Sequence, residues 1–392
     1  MAGVSRGRRD VLVALACALA AVATSLLACF ASQDGRFSPS ALVKLSREEP
    51  MAAVARASDP TFALVNPVEH YDGVYYYVMA RDPLLHGREH LLIDQAPYRY
   101  GHPMFGWLAR VVALGRPGSV PSALLTMTVL GAAVAAYTVS RLSVQFGRTP
   151  WGGLLVAMSP GLLYAATVST TETVGTALAA LVLLAWSRHH ITGAAGLLVL
   201  LCLTKEAYVT VPAGLALWEA VEWVRRRTQP PKLGRSIVAL AAGPLALAVW
   251  QVYVRLQLGV WPDMERPGNV AIPVQGWLDT FAFAHAFSGG SADQSQIGAI
   301  VAPVLIAVAA VVLAASVTAL RMRTLLDGVL LGMVMVLASL SYLTLGYPHE
   351  LVRNPSVVLL LAIAVLLSRP AAGRTPPSRA PAAAPAAALP PP

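Results

Sequence analysis

The strongest constraint in this sequence is a succession of apolar runs separated by short gaps that carry arginine. A helix needs about 20 apolar residues to cross the hydrocarbon core of a bilayer, and fewer where protein shelters one end. Runs of this kind cover 11–31, about 120–137, 237–258, 297–320, 325–345 and 357–367. Another begins at Trp151 and its successor ends near Trp186, with the polar stretch Ser169-Thr170-Thr171-Glu172 between them. Two more fill 191–223 and are broken at Lys205-Glu206. The pattern predicts an all-α integral membrane protein with about ten transmembrane helices. In this organisation residues 1–10 are a cytoplasmic N-terminus, 11–31 the first transmembrane helix and 32–117 a long outer loop carrying short interfacial helices. Residues 118–368 form the multi-helix transmembrane domain, and 369–392 a Pro/Ala-rich cytoplasmic tail that cannot bury apolar surface and is expected to be disordered.

Only 12% of the residues are charged, against about 25% in a soluble domain, which excludes an ordinary cytosolic enzyme. The 56% hydrophobic content excludes a disordered chain. A net charge of +9 raises the question of nucleic acid. The basic residues sit in the gaps between apolar runs, with no basic stripe and interleaved aromatics, so no nucleic-acid partner is expected. With the N-terminus inside, the inner segments hold Arg6, Arg8, Arg9, Arg141, Arg148, Arg188, Arg225, Arg226, Arg227, Lys232, Arg235, Arg321, Arg323, Arg369, Arg374 and Arg379. The short outer segments hold only Lys205, Arg255, Arg266 and Arg353. This asymmetry orients the chain in the cytoplasmic membrane with both termini inside.

The first run also reads as a cleavable signal, because Leu26-Leu27-Ala28-Cys29 is close to a lipoprotein cleavage box, although the run is longer than a usual signal core. Either way the following segment lies outside. Cys17, Cys29 and Cys202 give neither a disulfide framework nor a metal-ligand spacing. No internal repeat is visible, which counts against a transporter built from duplicated halves.

The outer loop holds the chemistry-bearing residues. Its centre reads His70-Tyr71-Asp72-Gly73-Val74-Tyr75-Tyr76-Tyr77, and Asp94-Gln95-Ala96-Pro97-Tyr98-Arg99-Tyr100-Gly101-His102 follows. Gly73 allows a close backbone approach, and the residues through Ala80 predict a helix lying at the membrane surface, its tyrosines in the headgroup region. An Asp at the start of that helix stays ionised beside the positive dipole end, placed to take a proton from a hydroxyl acceptor. The alternative role for Asp72 is an N-cap. Asp94 is a second candidate carboxylate, and Arg99 between two tyrosines suits a phosphate or a sugar. Its alternative is an interfacial arginine reaching the headgroups. His70 and His102 are candidates for acid/base work or substrate contact; as a metal pair they are weak.

Lys205 and Glu206 interrupt apolar sequence at the outer boundary, where unpaired charge is costly, so they mark either a site or a Lys–Glu turn that satisfies itself. Arg353 lies just before the last run on the same side, and Glu172 with the hydroxyls of 169–173 also reaches it. Asp72, Asp94, Arg99, Lys205, Glu206 and Arg353 thus gather on one face. The segment 259–296, with Trp261, Asp263, Glu265, Trp277 and Asp279, is available for sugar contacts, though its tryptophans also suit interfacial anchoring.

On the Tyr71-Asp72-Gly73-Val74-Tyr75-Tyr76 and Asp94-Gln95-Ala96-Pro97-Tyr98-Arg99-Tyr100 segments, and on the topology, the chain resembles the GT-C class of polytopic glycosyltransferases. The motifs occupy only about 70–103, and the topology most of the chain. The resemblance implies inverting transfer of a sugar from a polyprenyl-phosphate donor to a glycan, lipid or protein acceptor on the outer face. Asp72 then matches the catalytic carboxylate, and Lys205 and Arg353 match lipid-phosphate contacts by topology. The paired acidic residues of several GT-C families are absent at Asp72, which leaves open whether it acts alone or with Asp94. No cofactor is required in this reading; a divalent metal is possible chemistry without a ligand set to support it. A polytopic transporter and a non-catalytic envelope-assembly protein are the competing functions.

Overall fold

The structure is a computed structural model that describes residues 2–226, 233–264, 268–287 and 292–367. Among the described residues it is all-helical, and β-structure is confined to isolated bridges at Ser46↔Val65 and Val270↔Leu340. The principal helices are α1 (Ala2–Ala31), α2 (Gly73–Arg81), α3 (Met104–Val112), α4 (Val120–Gln145) and α5 (Pro160–Thr167). They continue with α6 (Glu172–Ser187), α7 (Ile191–Cys202), α8 (Thr210–Arg226) and α9 (Leu233–Leu258). The last are α10 (Gln275–Phe287), α11 (Ala292–Ala319), α12 (Leu325–Ala338), α13 (Pro348–Arg353) and α14 (Ser356–Leu366).

Four helices have stretches long and apolar enough to cross a membrane: Gly7–Ala31, Pro117–Gln145, Gly234–Leu258 and Ile297–Ala319. The apolar helices α6, α7, α12 and α14 are shorter. Burial inside the protein is low along α1, α9 and α11, and their outward side chains include Leu19, Leu245, Val249 and Leu313. Apolar faces of that extent need a nonaqueous neighbour, so the protein is a membrane protein. Pro244 in α9 and Pro303 in α11 sit inside long helices, as such segments tolerate.

The helices pack as a chain of neighbours: α1 on α4, α4 on α6, α6 on α7, α7 on α9, α8 on α12, and α14 on α11 and α12. Some boundaries differ from the apolar runs. The run beginning at Trp151 is two helical pieces, Leu154–Ala157 and α5, because Pro160 lacks the N–H that would continue the first. The run 325–345 ends its helix at Ala338 and resumes as the short turn Tyr342–Leu345. At the other end of the chain α1 extends back through Arg6, Arg8 and Arg9. Cys29 is buried and its thiol donates to the Ala166 carbonyl at 3.4 Å, so the thiol of the lipoprotein-like box is enclosed by α5. Arg227, Lys232, Glu265, Arg266 and the tail with Arg369, Arg374 and Arg379 lie outside the described residues.

Residues 32–117 form a folded layer whose buried side chains are continuous with the core of the helical bundle. Leu42, Val43, Leu45, Met51, Tyr77, Tyr100 and Phe105 are buried there. Helix α2 forms where the sequence predicts it. Every residue from Gly73 to Ala80 is buried, with α3 and α4 packed against it. A helix apolar and aromatic all round is driven inside, so its tyrosines are covered by protein.

Candidate functional site

Asp72 occupies the position before α2, yet its side chain makes no capping bond. Its carboxylate points instead at two arginines. Arg353 donates from Nη1 and Nη2 to Oδ2 at 3.1 and 3.2 Å, and Arg99 donates from Nη1 to Oδ1 at 3.3 Å. Burial pushes the Asp72 carboxyl up, but Arg353 and then Arg99 outweigh it and hold its pKa below the usual carboxylate value.

Two glycines set this geometry. A Cβ on Gly73 would meet the carbonyl oxygens of Val168 and Val43 at 2.6 and 2.7 Å, so only glycine lets the start of α2 sit against those strands of backbone. A Cβ on Gly161 would collide with the Val352 carbonyl and approach the Arg353 Cα to 3.0 Å. That contact seats α13, and hence Arg353, against α5.

Arg353 is itself buried. Besides Asp72 it donates to Glu350 Oε2 at 2.9 Å, lies 3.7 Å from Glu172 Oε1, and stacks over the Tyr71 ring at 4.9 Å. Glu350 also accepts from the Tyr71 hydroxyl and, at 2.8 Å, from Asn354 Nδ2. Lys205 does not pair with Glu206. Its Nζ lies 3.5 Å from both Glu172 Oε1 and Asn354 Oδ1, while Glu206 Oε2 lies 3.2 Å from His102 Nδ1. Burial raises the Glu206 carboxyl, and the His102 charge then pulls it down to about 2. The self-satisfied Lys–Glu turn is therefore replaced by two longer-range pairs, which tie the α7–α8 connection to α6 and to the 32–117 layer.

These groups line one cavity of about 410 Å³. Its polar wall carries Asp72, Arg99, His102, Lys205, Glu206 and Arg353, with Glu172, Glu350 and Asn354. Apolar side chains complete the lining, among them Met333, Val336, Leu337, Leu340 and Leu343 at and after the end of α12. Arg99 lies flat on the Tyr75 ring, 3.7 Å from its centroid, which fixes the guanidinium plane at the cavity edge.

Two of the sequence candidates stand outside that lining. Asp94 is largely exposed and reaches the group through Arg99 Nη2 at 3.8 Å and through a side-chain hydrogen bond with Tyr75. His70 turns away, with Nδ1 2.6 Å from Glu49 Oε1 and Nε2 3.2 Å from the Tyr75 hydroxyl; the Glu49 bond raises its pKa. Of the residues offered by the 259–296 segment, Asp263 lines the cavity. Trp277 instead donates to the Leu337 carbonyl at 2.9 Å, and Asp279 accepts from Gln275 at 2.7 Å. Among the described residues no group of three or more His, Cys, Asp or Glu is arranged to hold a metal ion.

Sequence reasoning did not single out Glu350 or Asn354 as site residues. The signal available was their spacing: Glu350, Arg353 and Asn354 stand three and four residues apart, one face of a helix.

Fold and site together define an all-helical membrane protein with an ion-paired, half-apolar cavity at one end of its bundle. No protein-family model matches the chain, and no curated protein matches it.

Proposed function

We propose that the protein is a GT-C-like glycosyltransferase of the cytoplasmic membrane. It transfers a sugar from a polyprenyl-phosphate donor to an envelope acceptor on the outer face. The finer topology belongs to this reading: ten crossings, both termini inside, with the layer 32–117 and the cavity outside. One observation carries it. Asp72, Lys205 and Arg353, drawn from three distant segments, share a cavity whose lining also includes many apolar side chains. A lipid-linked sugar phosphate has both kinds of group, and such a mixed lining can meet both.

The chemistry follows from the pairs. Every cation here already faces carboxylate, so a donor phosphate enters by displacing some of those contacts. Lys205, held only at 3.5 Å by two partners, and Arg99, at the cavity edge, are the readiest to change partner. When Arg99 turns to the phosphate, Asp72 loses one of its two arginines and becomes a stronger base. The acceptor hydroxyl gives its proton to Asp72 as its oxygen bonds to the anomeric carbon, and the bond from that carbon to the phosphate oxygen breaks. The electron pair leaves with the polyprenyl phosphate, whose added charge falls to Lys205 and the arginines. Attack opposite the leaving group inverts the anomeric centre.

Asp72→Asn, which keeps shape and removes the base, is the test. Purified protein supplied with a panel of polyprenyl-phosphate sugars and acceptors is expected to lose turnover by a factor of about 10²–10⁴ on this change. Unchanged transfer by the variant overturns the role of Asp72. The double clamp on Asp72 favours one other reading, a non-catalytic envelope protein in which the ion pairs only tie the outer layer to α13. Normal envelope glycan in cells carrying Asp72→Asn supports that reading instead.

A further inference from the structure

A second cavity, of about 510 Å³, lies between α4, α6, α12 and α14, toward the end of the bundle away from Asp72. That is the size of a small-molecule site, and its walls are mostly apolar, with Leu142, Leu183, Val329 and Leu361 among them. It touches the first cavity only through Val357, which lines both. At its edge, in the turn that follows α4, is Arg148. Arg148 is half-buried, and burial lowers its pKa with no neighbouring carboxylate among the described residues to oppose the loss of solvent. A desolvated, unpaired guanidinium at the edge of an apolar chamber is costly unless an anion completes it.

We propose that this cavity is a binding site for an anionic phospholipid of the inner leaflet, one acyl chain inserted toward Val357 and the phosphate on Arg148. The assignment goes beyond the glycosyl-transfer reading and needs only the membrane location. Two features select this occupant over the tail of a sugar donor. The charge that would hold a donor phosphate lies at the far end, on Lys205 and Arg353, so a chain anchored there leaves Arg148 unpaired. Arg148 also lies in an Arg-bearing segment on the side that the charge asymmetry assigns to the cytoplasm, where anionic headgroups are available.

Native mass spectrometry of the purified full chain tests the proposal, with phosphatidylglycerol and phosphatidylcholine of matched acyl chains as probes. One phosphatidylglycerol per chain is expected, bound roughly tenfold tighter than phosphatidylcholine. Arg148→Gln is expected to bring the two lipids to equal affinity. Ala180→Leu, which fills the cavity wall, is expected to remove both. Retention of the phosphatidylglycerol preference in Arg148→Gln, or no preference in the unaltered protein, overturns the proposal. Should the variants misfold, phosphatidylglycerol carrying a diazirine in its acyl chain decides the matter on the unaltered protein. Cross-links within 139–155 and 357–367 support the site; cross-links confined to outward residues such as Leu245, Val249 and Leu313 show annular lipid only and overturn it. Sugar transfer enters none of these readouts, so failure here leaves the proposed activity standing, and the reverse.

Discussion

Arg353 places both terminal guanidinium nitrogens on a single oxygen of Asp72, at 3.1 and 3.2 Å, across 281 positions of sequence. The same side chain holds Glu350 and lies against Glu172. One buried cation therefore keeps three carboxylates compatible with one another, and joins the 32–117 layer to the last helices of the bundle.

Arg353→Ala removes that cation and leaves Asp72, Glu172 and Glu350 facing each other with only Arg99 and Lys205 nearby. Breaking a buried pair from one side costs about 3–5 kcal/mol. The expected result is a large fall in the thermal unfolding midpoint in detergent. Arg353→Lys keeps the charge but loses the fork, and recovers part of the loss. An unchanged midpoint in Arg353→Ala means that the network does not hold the fold.

Lys205 is a different case, partly open to the cavity and loosely held by its two partners at 3.5 Å. Lys205→Gln is expected to lower the unfolding midpoint by much less than Arg353→Ala, since buried Glu172 keeps Arg353 at 3.7 Å. Affinity for a polyprenyl-phosphate probe, read by isothermal titration, is expected to fall about tenfold. A fall in stability without a change in probe binding contradicts the proposed phosphate contact.

The Glu206–His102 pair predicts a pH dependence. The folded carboxyl sits at about 2, below its ordinary value of 4.5. A depressed carboxyl stabilises the fold fully above the unfolded value and loses that contribution as pH falls through the folded one. Stability is expected to drop between pH 4.5 and about 2. Unfolding midpoints measured across that window in the unaltered protein and in Glu206→Gln check this, because the variant should show a shallower slope.

Gly73→Ala forces a methyl group against two carbonyl oxygens and is expected to destabilise by about 1–3 kcal/mol while moving Asp72 off Arg353. Gly193→Ala in α7 is the control. Nothing lies within 4 Å of the added carbon, and relief of glycine's entropy should raise stability by about 0.5–1 kcal/mol. Equal effects at the two positions refute the close-approach account of Gly73.

Much of the helical layout was legible because lipid removes the alternative of exposed backbone: an apolar run of sufficient length has to be helix. The runs at 11–31 and 237–258 lie within α1 and α9 for that reason, and the run at 297–320 overruns the end of α11 by one residue. The meeting of Asp72, Lys205 and Arg353 was legible too, since each stands in a polar connection beside an apolar run, and the three line one cavity. Partner choice was not. Lys205 and Glu206 are adjacent in sequence, yet one joins Glu172 of α6 and the other joins His102, because their side chains leave the turn toward different neighbours. His70 and Asp94 sit in the same motifs as Asp72 and Arg99, but packing of α2 against α3 and α4 turns them away from the cavity. Local composition thus determined which segments are helical and which end of the bundle carries charge. Only the tertiary structure decided which charges touch, because an ion pair depends on ångström distances between segments that the chain itself leaves free to approach.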